Sequence, residues 1–234
     1  MPPTVDALEP AVSAAIRLEG VTAGYRGEGN SLIGATLDVP PGATAVVHGG
    51  SGAGKSTLLH VLRAALAPRA GRVGLLGSDV AMLPPKVRAA LKRRIGYVAQ
   101  SPILFEDASV FDNVAAPLTM DAPAGPRTGA DVNDLLAYLG LSDVGARPAR
   151  SLSDVQRRLA AIARAFVIRP DIVLADEPLT GLGADAAGRV LRLLSEIARQ
   201  RAAVVITTQS PEDFATLPAQ RLRLERGQLA AAPA

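Results

Sequence analysis

The chain has 234 residues, 48% of them hydrophobic, which suits one α/β domain or a domain with an inserted subdomain and excludes a disordered chain. Its net charge is only +3 and aromatic residues make up 3%, so we expect no nucleic-acid partner. The absence of cysteine excludes disulfides and thiolate metal sites and is compatible with a reducing compartment.

The N-terminal residues 1–15 lack the basic start and long apolar run of a signal peptide, and we interpret them as a flexible tail. No apolar run elsewhere approaches the ~18 residues that a membrane span requires. We therefore expect a soluble, cytoplasmic protein.

Two strands are predicted next, over residues 16–21 and 31–39, and the second is stopped by the Pro-Pro-Gly sequence at 40–42. The turn between them carries Tyr25. This ring is suited to stacking on an adenine face, or alternatively to closing the end of a strand as a half-buried aromatic.

A phosphate-binding pattern, G-x-x-x-x-G-K-[ST], follows the apolar strand predicted over residues 43–47 and precedes a helical stretch from 58 to 66. Glycines let successive backbone N–H groups surround a polyphosphate, and the helix offers its positive end to the same anion. In this pattern Lys55 reaches the outer phosphates and the Ser56 hydroxyl ligates magnesium. A ligand-free glycine turn is disfavoured by the complete pattern in this context, so the sequence predicts nucleoside triphosphate binding. The residues of the pattern are Gly49, Gly50, Ser51, Gly52, Ala53, Gly54, Lys55, Ser56 and Thr57.

Residues 101–165 differ in character, because strand-like runs give way to helical stretches at 110–118 and 132–139, separated by a linker over 121–126. We interpret this region as a small helical subdomain inserted into the α/β core. Residues 16–100 then hold an antiparallel β subdomain and the phosphate-loop half of the core. Residues 166–234 hold the other half and end in a hairpin.

Two carboxylates, Asp176 and Glu177, end the apolar strand predicted over residues 171–177. In phosphate-loop proteins the first such carboxylate supports magnesium and an adjacent glutamate polarises the attacking water. Gln100 directly follows the strand predicted over 95–98. Its amide oxygen could ligate magnesium or position water, while a solvated loop glutamine is the simpler reading.

These segments resemble the nucleotide-binding subunits of ABC-type ATPases over nearly all of residues 16–230. The phosphate pattern matches that family's Walker A motif, residues 172–177 match Walker B, Gln100 matches the Q-loop and Tyr25 matches the adenine-stacking aromatic. The resemblance implies a P-loop NTPase fold of the α/β class: an ABC core with a mixed sheet, an N-terminal antiparallel β subdomain and an inserted helical subdomain. It also implies ATP and Mg2+ as ligands, with Ser56, Gln100 and Asp176 at the metal.

Within the family, residues 93–100 and 110–118 look most like the cell-division branch, FtsE, and the lipoprotein-export branch, LolD, has similar segments. The resemblance implies that two ATPase subunits, identical or different, enclose two ATP molecules head to tail. It further implies an integral membrane partner, FtsX-like in the division branch, bound at a groove near Gln100 and Phe111. The chain would then be peripheral to the inner membrane.

The motifs that act across such a dimer depart from the family pattern. The signature L-S-G-G-[QE] aligns with residues 152–156, where Ser153 is kept but Asp154 and Val155 replace both glycines. The family's D-loop aspartate aligns with Gly183, and its switch histidine aligns with Gln209, which donates hydrogen bonds but carries no proton-shuttling charge.

The signature region has a second interpretation. Ser153 and a glutamine three residues later form a capping-box pattern, so this helix start could satisfy itself instead of a phosphate. The sequence thus predicts ATP binding, slow hydrolysis by Glu177, Gln100 and Gln209, and weak ATP-driven dimerisation. An export motor and an ATP-binding scaffold without turnover are the alternatives.

Overall fold

The computed structural model describes residues 14–25, 27, 29–119 and 126–232. Most of the predicted tail and of the predicted 121–126 linker lie outside these residues. Ala14 and Ala15, assigned above to the tail, are 9% and 4% exposed, and the Ala15 carbonyl accepts a hydrogen bond from the Leu76 amide at 2.8 Å. These two alanines therefore belong to the folded core, because their backbone and side chains are covered.

The first sheet is antiparallel throughout, with the strand order β2-β1-β4-β5. Alternate side chains of β1 and β2 are buried, as expected for strands that cover a core with one face. This sheet confirms the predicted N-terminal β subdomain. Its strands are β1 (Ile16–Ala23), β2 (Leu32–Val39), β4 (Ala70–Leu75) and β5 (Ser78–Asp79).

The second sheet is mixed, with the order β10-β9-β3-β8-β7-β6. Its strands are parallel except β10, which pairs with β9 as the predicted C-terminal hairpin. Every residue of β7 and β8 is buried, which explains their continuous apolar sequences. The strands are β3 (Thr44–His48), β6 (Ile95–Val98), β7 (Ile172–Asp176), β8 (Ala203–Thr208), β9 (Gln220–Glu225) and β10 (Gln228–Ala231).

The helices connect and cover these strands. None of those in the described part of the chain is both long and apolar enough to cross a membrane. They are α1 (Lys55–Leu62), α2 (Pro85–Lys92), α3 (Val110–Thr119), α4 (Pro126–Leu139), α5 (Asp154–Phe166) and α6 (Ala184–Arg199), with short 3-10 turns at Val80–Met82, Ser142–Val144, Ala149–Ser151 and Pro211–Phe214.

Two apolar clusters form the core. One fills the space between the two sheets and α1, and includes Leu58 and Val205. The other joins the helices α3–α6 to the opposite face of the mixed sheet, and includes Leu136 and Val173. The helical region over 101–165 is therefore packed directly onto the core, which holds α5 against the edge strand β6.

Two glycines provide a test of this packing. Gly188 lies inside α6, and a Cβ there would meet only the flexible end of Arg192 at 3.5 Å. We expect Gly188→Ala to raise the free energy of unfolding by about 0.5–1 kcal/mol, because alanine loses less backbone entropy on folding than glycine does.

Gly96 in β6 is the contrast, since a Cβ would lie 2.4 Å from the Ala165 carbonyl oxygen. Gly96→Ala should destabilise by about 1–3 kcal/mol. Urea denaturation measures both changes, and a stable Gly96→Ala protein would contradict the close packing of α5 on β6.

Candidate functional site

The phosphate loop connects β3 to α1 and is shaped by close backbone contacts. A Cβ on Gly49 would lie 2.3 Å from the Leu224 carbonyl oxygen, and one on Gly54 would lie 2.0 Å from the Ser31 carbonyl oxygen. Gly54 also has φ +108, which side chains rarely adopt. No side chain caps α1 and no acidic residue lies in its first turn, so its N-terminal N–H groups are available to an anion.

Lys55 is buried inside this loop, with 7% of its surface exposed. Its Nζ donates hydrogen bonds to the carbonyl oxygens of Gly49 and Gly50 at 2.7 and 3.0 Å. The loop thus bends around its own lysine. The ammonium group therefore lies inside the predicted phosphate loop, and its contact with a phosphate stays a prediction.

Asp176 lies at the end of β7, two strands away from β3, and is 3% exposed. Its Oδ2 accepts a hydrogen bond from the Ser56 hydroxyl at 2.9 Å, and its Oδ1 accepts one from Thr207 at 2.7 Å. Both carboxylate oxygens are therefore engaged. This pairing fixes the Ser56 hydroxyl, the group predicted to ligate magnesium.

Glu177 follows directly and is 6% exposed, with a left-handed φ of 48. Its Oε2 accepts a hydrogen bond from the Thr208 hydroxyl at 3.2 Å. Its Oε1 is buried without a hydrogen-bond partner among the described residues, and lies 3.8 Å from Lys55 Nζ. A buried carboxylate oxygen without a donor is costly, and such strained, unsatisfied groups cluster at functional sites.

These groups line one cavity of about 220 Å³, together with the side chains of both predicted glutamines, Gln100 and Gln209. The structure therefore brings together the predicted loop residues from 51 to 57, both carboxylates and both glutamines. Tyr25 and Ser153 do not line the cavity. Its lining residues are Ser31, Ser51, Gly52, Ala53, Gly54, Lys55, Ser56, Thr57, Gln100, Asp176, Glu177 and Gln209.

Ser153 is engaged at the N-terminus of α5. Its hydroxyl accepts a hydrogen bond from the Gln156 amide at 3.3 Å, and the Gln156 side chain accepts one from the Ser153 amide at 3.0 Å. The capping box predicted from the sequence is thus present. Asp154 and Val155 line a neighbouring cavity of about 340 Å³, which also contacts Gln100.

Sequence reasoning missed Thr207, Thr208 and Arg158. The threonines end the buried strand β8 beside the carboxylates, and two polar residues closing an apolar strand could have indicated them.

Arg158 of α5 donates hydrogen bonds to the carbonyl oxygens of Gln100 and Glu177 at 3.0 and 3.3 Å. Partial burial lowers the pKa of Arg158 more than Asp154 and Glu177 raise it. Its sequence context carries no signal for this bridge, because the contact joins distant segments.

The ABC transporter family profile matches residues 32–180. The chain belongs to the ABC transporter family of ATPases. A lipoprotein-releasing system ATP-binding protein, LolD 1 of Caulobacter vibrioides, is 38% identical over 202 residues, covering 85% of this chain and 86% of the relative. The cell division ATP-binding protein FtsE of Escherichia coli K12 is 34% identical over 214 residues, covering 92% and 96%.

Among solved structures, a bacterial ABC transporter cassette determined as a dimer superposes with a TM-score of 0.84 at 25% identity, covering 94% of this chain and 99% of that chain. This likeness confirms the predicted ABC core. Because relatives of the FtsE and LolD types match at similar identity, the family role that they share is that of an ATP-binding subunit.

Lys55→Met tests the site. Removing the ammonium group should weaken ATP binding by at least about 100-fold, because a buried charge that contacts phosphate contributes about 3 kcal/mol. A nucleotide titration measures the loss. The control is Lys86→Met, an exposed lysine on α2. ATP affinity equal to that of the unaltered protein in Lys55→Met would rule out this loop as the phosphate site.

Proposed function

We propose that this chain is the ATP-binding subunit of an FtsE-like ABC complex, which couples ATP binding and slow hydrolysis to a membrane partner in cell division. The observation that carries the proposal is the buried Oε1 of Glu177, which accepts no hydrogen bond from the described residues and lies 3.8 Å from Lys55 Nζ in the phosphate-loop cavity. A carboxylate oxygen in this position is suited to accept a proton from a water that attacks the terminal phosphate.

In this proposal, different residues of the chain bind the phosphates, the attacking water and the magnesium ion. The loop N–H groups and Lys55, which moves from its carbonyl partners to the ligand, hold the phosphates. Gln100 and Gln209 orient the attacked phosphate and water through their amides. Ser56 and Gln100 supply oxygens that fit magnesium, with Asp176 orienting Ser56, and the ion when bound neutralises phosphate charge.

We expect slow turnover mainly because of the N-terminus of α5. In an ABC dimer the signature helix start would face the ATP bound to the other subunit, but here Ser153 and Gln156 satisfy each other and Asp154 adds a negative charge. This helix end is therefore less able to bind a phosphate. Gln209 cannot carry the positive charge of a histidine. Both features reduce stabilisation of the transition state.

Steady-state hydrolysis of Mg-ATP tests this account. We expect measurable slow turnover that Glu177→Gln lowers by about 100-fold or more, with nucleotide affinity retained, because only the general base is removed. Unchanged turnover in Glu177→Gln would contradict the assigned base. Binding without turnover in the unaltered chain would favour the ATP-binding scaffold, which the self-capped α5 also supports.

Restoring the signature isolates its contribution. Asp154→Gly combined with Val155→Gly should raise turnover by at least about tenfold and strengthen ATP-induced dimerisation in the Glu177→Gln background. Size-exclusion chromatography with ATP measures the dimer. Asp143→Gly on a nearby exposed turn is the matched control. A tight ATP-induced dimer before any restoration would refute the weak-dimer prediction.

The membrane partner is proposed to bind beside the Q-loop, at the groove near Gln100 and Phe111. Phe111 itself is half-buried, whereas Ile103 and Phe105 are 77% and 62% exposed. The buried Asn113 holds the Phe105 segment, accepting from its amide at 2.7 Å and donating to its carbonyl at 3.0 Å. Two exposed apolar side chains, one of them on a backbone held by Asn113, suit an apolar segment of an FtsX-like integral subunit. Such docking would make the chain peripheral to the inner membrane from the cytoplasmic side.

Phe105→Asp should weaken co-purification with an FtsX-like subunit by about 30-fold or more in affinity while leaving hydrolysis by the isolated chain unchanged. Ile33→Asp, another exposed apolar residue on β2, is the control. Retention of the partner by Phe105→Asp would exclude this surface. Selective capture of a lipoprotein-export permease in place of an FtsX-like subunit would favour the LolD-like alternative, which the similar identity of those relatives also supports.

A further inference from the structure

The phosphate-loop cavity is too small for a whole nucleotide. At about 220 Å³ it falls below the roughly 300–1,000 Å³ of pockets that enclose ligands of drug size. The triphosphate chain fits there, and the base and ribose of ATP must lie outside. The residues that position the base are therefore found beyond the cavity lining.

The turn that carries Tyr25 lies next to the cavity. Ser31, the residue after Asn30, lines the cavity, and its carbonyl oxygen faces Gly54 of the phosphate loop. The turn is closed tightly, because a Cβ on Gly24 would lie 2.3 Å from the Gly29 carbonyl oxygen. Tyr25 thus follows a glycine in close contact with Gly29 and belongs to a segment whose end at Ser31 meets the phosphate loop.

His60 holds the tip of the Tyr25 side chain. The Tyr25 hydroxyl forms a hydrogen bond with His60 Nδ1, and the ring planes are perpendicular, at 86° with centroids 6.1 Å apart. The hydrogen bond joins the Tyr25 hydroxyl to a ring nitrogen of His60, so it does not involve the face of the Tyr25 ring. His60 lies five residues into α1, about 7.5 Å along the helix from Lys55.

His60 is itself fixed by its surroundings. Its ring contacts Tyr97 of β6 edge-on, with centroids 6.4 Å apart, and the Arg63 guanidinium lies over the Tyr97 ring at 4.4 Å. Burial and then Arg63 lower the pKa of His60, against a smaller opposite effect of Asp176. The imidazole is therefore neutral at pH 7 and keeps a nitrogen able to share the phenol proton.

Arg69 holds the backbone of the same turn from the other side. Its guanidinium donates to the Tyr25 carbonyl oxygen at 2.7 Å and to the Asn30 side-chain oxygen at 2.8 Å. The two acceptors lie on opposite sides of the turn. One side chain therefore spans both ends of the turn that carries the aromatic ring.

We propose that His60 and Arg69 are positioning residues that fix Tyr25 for stacking on the base of ATP. The inference rests on the proposed function, since it requires ATP at the phosphate loop, and on the expectation from the sequence that Tyr25 stacks on the base. His60 sets the direction of the ring through its hydroxyl, and Arg69 sets the backbone that bears it. Neither residue lines the phosphate-loop cavity, so we expect both to act on the base end of the nucleotide alone.

Binding of Mg-ATP and of magnesium tripolyphosphate, which has no base, separates this role from general damage to the phosphate loop. Tyr25→Ala should weaken ATP binding by about tenfold and leave tripolyphosphate binding unchanged, because stacking contributes on the order of 1–3 kcal/mol, which corresponds to about 5- to 150-fold. His60→Ala and Arg69→Ala should each weaken ATP binding by about three- to tenfold, again without effect on tripolyphosphate.

The conservative variants test the contacts themselves. Tyr25→Phe keeps the ring and loses only the hydroxyl, so it should match His60→Ala, and the double variant should be no weaker than either single one. His60→Gln and Arg69→Lys should recover part of the ATP affinity. Arg72→Ala, an exposed arginine on β4, is the control for Arg69→Ala.

Three results would contradict the inference, and a fourth would contradict the proposed function instead. Equal losses for ATP and tripolyphosphate would mean that His60 and Arg69 support the phosphate loop in general. An additive Tyr25→Phe, His60→Ala double variant would exclude action through the hydroxyl. No preferential loss of ATP binding in Tyr25→Ala would refute base stacking itself, while failure of Lys55→Met to weaken tripolyphosphate binding would refute the phosphate site of the proposed function.

Discussion

The parallel backbone ladder that joins β3, β8 and β7 aligns the residues of the candidate site. It sets His48 opposite Thr208 and Asp176 opposite Thr207, so the three strands end level with one another. Because parallel strands bring their carboxyl ends to one edge of a sheet, the phosphate loop, the two carboxylates and the threonines that bind them converge there. A slip of one residue would turn Asp176 away from Ser56 and dismantle the site.

The buried lysine and glutamate at this edge form an incomplete ion pair. Lys55 donates to loop carbonyls, and one oxygen of Glu177 lacks a donor among the described residues. Charged groups buried in this way are stabilised when a ligand supplies the missing partners. The arrangement therefore favours binding of an anion with an associated water, and it gives a physical reason for the strained backbone of Glu177.

The N-terminus of α5 presents the opposite situation, since its own side chains satisfy part of it. Its capping box satisfies the backbone amides of Ser153 and Gln156, and Asp154 adds a negative charge in the first turn of the helix. Under the proposed function, the phosphate-loop half of the site is open to a ligand, whereas the signature half is partly occupied by its own side chains. A partner subunit with an intact signature would complement the open half, which makes a heterodimer chemically consistent with this chain.

The sequence by itself determined the phosphate loop, the positions of most strands along the chain, and the capping box, because each depends on neighbouring residues and their spacing. Strand ends indicated Gln100 and both carboxylates, the family resemblance indicated Gln209, and the structure places all four residues at one cavity. Only the tertiary structure decided that Arg158 bridges two motifs, that Phe105 is exposed beside the buried Asn113, and that His60 and Arg69 hold the Tyr25 turn. These contacts join segments far apart in the chain, and no local pattern of residues encodes the distance between them.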